Sequence, residues 1–152
     1  MQTQEQINAT GELTIVVTDQ TTGVVKTSVT VPNLVTTAGK AWIASRLRDT
    51  SIPAQMSHMA VGTSSTTPAV ADTVLGAELA TRQALITAGG SVASNTVTYS
   101  ASFPAGNCTG ALTEAGIFNA LTSGTLLCHT VFAVVNKGVN DSMTITWSVT
   151  LS

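Results

Sequence analysis

Few residues in this 152-residue chain could do chemistry, and those few are scattered. The only imidazoles are His58 and His129, and the only thiols are Cys108 and Cys128. Nucleophilic catalysis needs a hydroxyl or thiol with a base beside it. Serines abound, yet the Gly-x-Ser-x-Gly elbow that presents one does not occur. His129 falls within an apolar run, with Leu127 and Val131 on its own strand face, which predicts a structural side chain. His58 stands at a strand start and reads as a surface residue. Cys128 and His129 are adjacent, so on a strand they point to opposite faces and cannot bind one ion together. Cys108 has no Cys-x-x-Cys partner. Cys128 is expected in the core, and Cys108, after Gly106-Asn107, as the more exposed thiol. Gly-rich phosphate loops are absent. The expectation is no catalytic residue, no cofactor, no metal, and no enzyme.

The carboxylates Glu12, Asp19, Asp49, Asp72, Glu78, Glu114 and Asp141 are isolated along the chain. Most sit at turns or element ends, where solvated or capping roles dominate. Glu114 and Arg82 differ, because both fall within apolar strand segments. A cross-strand ion pair between them is expected.

Alternation shows what must position these residues. From Met143 to Leu151, Met143, Ile145, Trp147, Val149 and Leu151 alternate with Thr and Ser, the pattern of a half-buried strand. Similar logic gives a strand over Glu12–Thr18, a turn at Asp19–Gly23 and a return strand over Val24–Val31 that Pro32 ends. Val92–Phe103 alternates again and is expected to pair with Thr81–Ala88 across Gly89-Gly90. Ala111–Phe118 and Thr125–Val135 read as a hairpin joined through Thr122-Ser123-Gly124, and Met59–Val61 as a short strand. Residues 36–48 carry helical spacing, with Thr36 or Thr37 as cap and Arg46 and Arg48 near the C-terminal end. Gly62–Asp72, rich in Ser and Thr, is a loop. The sum is an all-β fold of about eight strands, a jelly-roll-like β-sandwich, with one short helix near residues 37–48. Residues 1–10, polar and patternless, are expected to form a flexible N-terminal arm before a single domain over 11–152.

Composition narrows the partners. Only 9% of residues are charged, against 43% hydrophobic, with mean hydropathy +0.33 and formal net charge −2. Soluble domains typically carry about 25% charged residues. Threonine alone occurs 27 times, so a neutral, sheet-like and associating surface is expected. The six Lys and Arg do not cluster into a nucleic-acid footprint. No apolar run approaches membrane-helix length, and no secretory pattern opens the chain, so it is expected to be made in the cytosol without a required disulfide.

Three segments add a resemblance. Residues 57–82 contain Val61-Gly62-Thr63 and then Asp72-Thr73-Val74-Leu75 and Glu78-Leu79-Ala80-Thr81-Arg82. Residues 113–119 read Thr-Glu-Ala-Gly-Ile-Phe-Asn. Gly124-Thr-Leu-Leu-Cys-His-Thr-Val-Phe132 then leads to Val135-Asn-Lys137. In this order, over roughly residues 30–152, the chain resembles structural proteins of tailed-phage virions. These include small capsid decoration (cement) proteins and the collar-like N-terminal domains of tail fibres. The resemblance implies a virion protein that binds the major capsid protein of an assembled head and stabilises it. It also implies a homo-oligomer, dimer or trimer, with no nucleic-acid or membrane partner. A tail-fibre, baseplate or neck connector is the alternative, and a carbohydrate-binding module a remote one. Sugar sites usually display aromatics, and Trp42, Tyr99, Phe103, Phe132 and Trp147 all fall on apolar faces.

Overall fold

The first strand pair follows from period-2 alternation that places Leu13, Ile15 and Val17 on one face, each fully buried. The computed structural model describes residues 4–48 and 53–152, so Asp49 and the first three residues of the expected arm lie outside the described residues. The elements are β1 (Ala9–Asp19), β2 (Val25–Val35), α1 (Thr37–Arg46), β3 (His58–Gly62), β4 (Gln83–Ala84), β5 (Ser91–Ala93), β6 (Thr96–Phe103), β7 (Gly110–Phe118), β8 (Leu126–Lys137) and β9 (Asp141–Leu151). The protein is all-β with one short helix, as its alternation predicts. β1 begins at Ala9, inside the segment expected to be an arm.

The nine strands among the described residues form one antiparallel sheet in the order β4-β3-β7-β8-β2-β1-β9-β6-β5. β9 pairs with β1 along its whole length, from Ala9↔Leu151 to Asp19↔Asp141. Its Met143, Ile145, Trp147 and Val149 are buried, while Thr144 and Thr146 are exposed. The middle of the sheet is its weak seam. β2 meets β8 only at Leu34↔His129 and Val35↔Cys128. There the sheet curls, so β1, β6 and β9 share one core with β3, β7 and β8, Trp147 and Phe103 packing in the same cluster as Ile117 and Leu127.

Two expectations fail here for identifiable reasons. Pro32 does not end its strand, since β2 continues to Val35. Pro32 sits opposite Glu12 of β1, and its carbonyl accepts the Thr130 hydroxyl at 2.8 Å on the other side. Its missing N–H therefore faces the seam, where no ladder bond is lost. The hairpin expected between Thr81–Ala88 and Val92–Phe103 survives only as a bridge at Leu85↔Ala101. Both glycines turn the chain, at φ 79° and 75°. The chain reverses again at Ser94-Asn95, so β5 pairs with β6 instead. The segment before the glycines is shared between the two halves of the sheet. Gln83 and Ala84 pair with β3, while Leu85 bridges Ala101 and Ile86 N–H donates to the Ser100 carbonyl. Residues 83–86 thus tie one end of the curled sheet to β6.

The hairpin of β7 and β8 forms as expected, from Gly110↔Lys137 to Phe118↔Leu126. Helix α1 starts where its cap predicts. The buried Thr36 hydroxyl accepts the Gly39 N–H at 2.9 Å and donates to the Leu126 carbonyl at 2.6 Å. Gly39 lets α1 touch β8, since a Cβ there would overlap the Leu127 carbonyl. Residues 63–82 carry no strand and fold over the far face of β3 and β7. There Ala60, Leu75, Phe118 and Leu126 form a second small core. Gly116 makes room for it: a Cβ would lie 2.8 Å from both Leu75 Cδ2 and Leu126 Cδ1.

Candidate functional site

In the register of the β7–β8 hairpin Glu114 sits opposite Val131, and His129 is two residues from Val131 on the same face. Diagonal neighbours of this kind lie within reach of long side chains. Both are buried, Glu114 at 0% and His129 at 3% exposure. The His129 Nε2 is 3.1 Å from Glu114 Oε2, and its Nδ1 is 2.8 Å from Asp72 Oδ2. The half-buried Asp72 completes a three-residue cluster with this buried pair. Asp72 and His129 line a recess of about 170 Å³, together with Ser64, Leu75 and Gly76.

The hydrogen-bond inventory decides what the cluster does. Glu114 Oε1 accepts from the N–H groups of Ala77 at 2.6 Å and Ser64 at 3.3 Å, and Oε2 accepts from Gly76 at 2.9 Å. Asp72 Oδ2 accepts from Ala69 N–H at 2.8 Å. That bond, and after it His129, hold the Asp72 carboxyl below its ordinary pKa. Each ring nitrogen thus faces a carboxylate oxygen. A general base needs a free lone pair within reach of the proton it takes. Here both ring nitrogens are taken up by carboxylates, and Glu114 is filled by backbone donors. The cluster is a clamp that fixes residues 64–77 to the sheet.

A second clamp holds the end of the same connection. Arg82 grips Glu78 in a fork, Nε to Oε1 at 2.7 Å and Nη2 to Oε2 at 3.1 Å. Its Nη1 donates to the carbonyls of Ala120 and Ser123, and its guanidinium carbon lies 3.4 Å from the Phe118 ring centroid. The ion pair expected between Arg82 and Glu114 is therefore wrong: each finds a nearer partner, Glu78 and His129. Asp72 and Glu78, read as solvated turn residues, are the partners that sequence reasoning missed. A signal existed for half of this, because two polar residues on one face of an apolar hairpin need each other. Nothing in the sequence pointed to the loop residue that completes each clamp.

The other candidates fall where chemistry is not supported. Cys108 lies within Gly106-Asn107-Cys108-Thr109-Gly110, the elbow spacing with cysteine in place of serine, at φ 49°. Its sulfur points at the Ala80 and Thr81 carbonyls, and burial pushes its pKa up, against the pull of Lys137. A reactive thiol needs the opposite shift. It is half-buried, less open than expected, and Cys128 is fully buried; both are free. His58 is half-buried beside the Ser57 hydroxyl, and burial, then the Arg82 charge, holds its pKa below the ordinary value. Lys137 is buried and donates to the carbonyls of Pro104 and Asp141 at 2.9 and 2.7 Å. No group of three His, Cys, Asp or Glu suited to a metal occurs among the described residues.

The outer face of β6, β9, β1 and β2 has a different character. Register places Ser100, Thr146, Thr14 and Thr30 in one row across the four strands. Ser102, Thr144, Val16 and Ser28 form the next row, and Thr98, Ser148, Glu12 and Pro32 a third. Of these twelve positions only Val16, Glu12 and Pro32 lack a hydroxyl, and only Glu12 is charged. Neighbouring hydroxyls bond to each other, as Thr14 does to Thr30 at 3.0 Å.

Fold and site together define an all-β protein built on one curled antiparallel sheet, with polar clamps on its long connection and a broad hydroxyl-lined face. No family model, no curated protein and no solved structure matches the chain.

Proposed function

We propose that the chain is a structural subunit of a tailed-phage virion, a capsid decoration protein that binds the assembled head and stabilises it. The observation that carries this reading is the hydroxyl face: a wide, nearly uncharged sheet surface spanning four strands. Such a surface costs less to desolvate than a charged one and offers many hydroxyls for hydrogen bonds across a contact, which suits lateral adhesion between subunits. The buried ionisable groups support it too, because their hydrogen-bonding capacity is spent on holding the chain rather than on a substrate. The segments that resemble phage virion proteins supply the side chains of these clamps: Asp72, Glu78, Arg82, Glu114 and His129. The carbohydrate alternative loses ground, since Tyr99, Phe103, Phe118, Phe132 and Trp147 are buried and Arg46 covers the Trp42 ring at 4.5 Å.

The test is to sediment the purified protein with heads that lack it, at low and at high salt. Saturable binding at fixed stoichiometry, surviving high salt and delaying thermal rupture of the head, is the expected result. Exposed ion pairs would be screened within a Debye length of about 8 Å at physiological salt, and a neutral face would not. Binding to tails alone would favour the connector alternative, and binding to no virion part would remove both.

A further inference from the structure

We infer that the end of the molecule built around α1 is a docking surface for an acidic, apolar segment of a partner protein. The inference deepens the assembly reading and rests on it for the existence of a partner. Two cavities of about 280 and 260 Å³ flank α1 and share Ile43 and Leu151 in their linings. The three most exposed large apolar side chains among the described residues are Leu47 at 89%, Ile7 at 80% and Val92 at 72%. All three line these cavities, Ile7 and Leu47 the first and Val92 the second. Scattered exposed apolar residues are ordinary, but their convergence on one pair of grooves is not.

Charge names the occupant. Three of the chain's six Lys and Arg, namely Lys40, Arg46 and Arg48, lie on or just after α1, and no Asp or Glu occurs from Gln20 to Arg48. The next residue, Asp49, lies outside the described residues. Lys40 lines the first cavity; Arg46 lines the second, where it also stacks on the Trp42 ring and donates to the Pro53 carbonyl. Apolar grooves with a cationic rim complement large apolar side chains interspersed with carboxylates. A second copy of this chain supplies that chemistry poorly. Asp72 and Glu114 are held by His129, Glu78 by Arg82, Asp141 by Lys26, and Asp19 by Thr21. Of the other described carboxylates, Glu12 lies among hydroxyls on the outer face, and Glu5 is two residues from Ile7, which itself lines the first groove. Concave apolar grooves of this size also suit side chains better than a phosphodiester backbone.

The probe is a short synthetic peptide of alternating Leu and Asp, with Leu/Lys and Ser/Asp peptides of equal length as controls, followed by amide chemical shifts. The Leu/Asp peptide should shift amides of α1, Ala9, Val92 and Leu151, with weaker or no response to the controls. A Lys40→Glu/Leu47→Asp variant alters two exposed side chains, so its melting should not move while peptide affinity falls about tenfold or more. Equal binding of the Leu/Lys peptide, or shifts confined to another face, would overturn the inference. So would a dimer that Leu47→Asp dissolves, or a stronger response at these amides to phosphatidylglycerol vesicles. Head sedimentation separates the two proposals. If both wild type and variant bind heads equally and the peptide is silent, this surface fails and the decoration reading stands. If neither binds heads but the peptide docks at α1, the decoration reading fails alone.

Discussion

Replacing His129 with Leu removes the ring that bridges the two carboxyls of the buried clamp while keeping a side chain of similar bulk. Glu114 stays at 0% exposure, facing the N–H groups of Ser64, Gly76 and Ala77 but no longer a ring nitrogen. Asp72 suffers less, because its side chain is 29% exposed and water replaces the lost contact. Removing one partner of a buried ion pair costs about 3–5 kcal/mol. The three remaining backbone donors place this case at the low end, about 3 kcal/mol. For a chain of this size each kcal/mol lowers the melting temperature by about 2–4 °C, so a fall of about 6–12 °C is expected. Calorimetry measures it, and hydrogen exchange locates it: the amides of Ser64, Gly76 and Ala77 should lose protection before those of β9. The double variant His129→Leu/Glu114→Leu should recover part of the loss, since no buried carboxyl is then left without its partner. A His129→Leu protein melting within a degree or two of wild type, with those amides still protected, would refute the clamp.

Trp147 is fully buried mid-strand in β9, so Trp147→Ala should cost about 3–5 kcal/mol and leave little soluble protein; unchanged melting would contradict the packing. Alkylation of the native protein at mildly alkaline pH should label Cys108 slowly and Cys128 only on unfolding, because burial raises both thiol pKa values and Cys128 is fully enclosed; mass spectrometry of the labelled peptides reads this. The Lys26 hydrogen bond holds the Asp141 carboxyl, and the Ala69 N–H the Asp72 carboxyl, below the ordinary 3.8. Folded values below unfolded ones mean stability that is complete above that range and lost as pH falls through the folded values. Asp141→Asn should therefore flatten the acid limb of a melting-temperature profile while lowering the neutral plateau.

How much of this was legible in the sequence depends on where each residue's partner lay. β9, the β7–β8 hairpin and the Thr36 cap were readable because strand period, turn residues and cap act within a few positions. Trp147, Tyr99, Phe103 and Cys128 were assigned to the core for the same reason. Pro32 misled because its strand tolerance depends on whether a neighbour stands on its N–H side, a property of the seam between β2 and β8. Gly89-Gly90 misled in part: Leu85 does bridge Ala101 of the expected strand, but Gln83 and Ala84 are claimed by β3, and a second reversal at Ser94-Asn95 gives β5 to β6. Arg82 and Glu114 were recognised as polar residues in apolar company. Glu78, which pairs with Arg82, and Asp72, which meets Glu114 only through His129, lie on a connection whose path no local pattern encodes.

That connection is where the physics of the molecule concentrates. Residues 63–82 carry no strand, and ordering each backbone residue costs about 1–2 kcal/mol. Long structureless connections are uncommon in compact domains for this reason. Apolar burial here is small, chiefly Leu75 against Ala60, Phe118 and Leu126. The compensation comes from buried polar groups that each hold several backbone atoms at once. Glu114 takes three N–H groups, while Arg82 holds a carboxylate and two carbonyls and also covers an aromatic ring. Thr113 adds a bond from its hydroxyl to the Ser64 carbonyl at 2.8 Å. A chain with only 9% charged residues thus places several of them inside, where one group orders a whole turn. The outer face of β6, β9, β1 and β2 is left almost wholly to hydroxyls. One allocation of charge therefore produces both the rigid connection and the neutral adhesive surface.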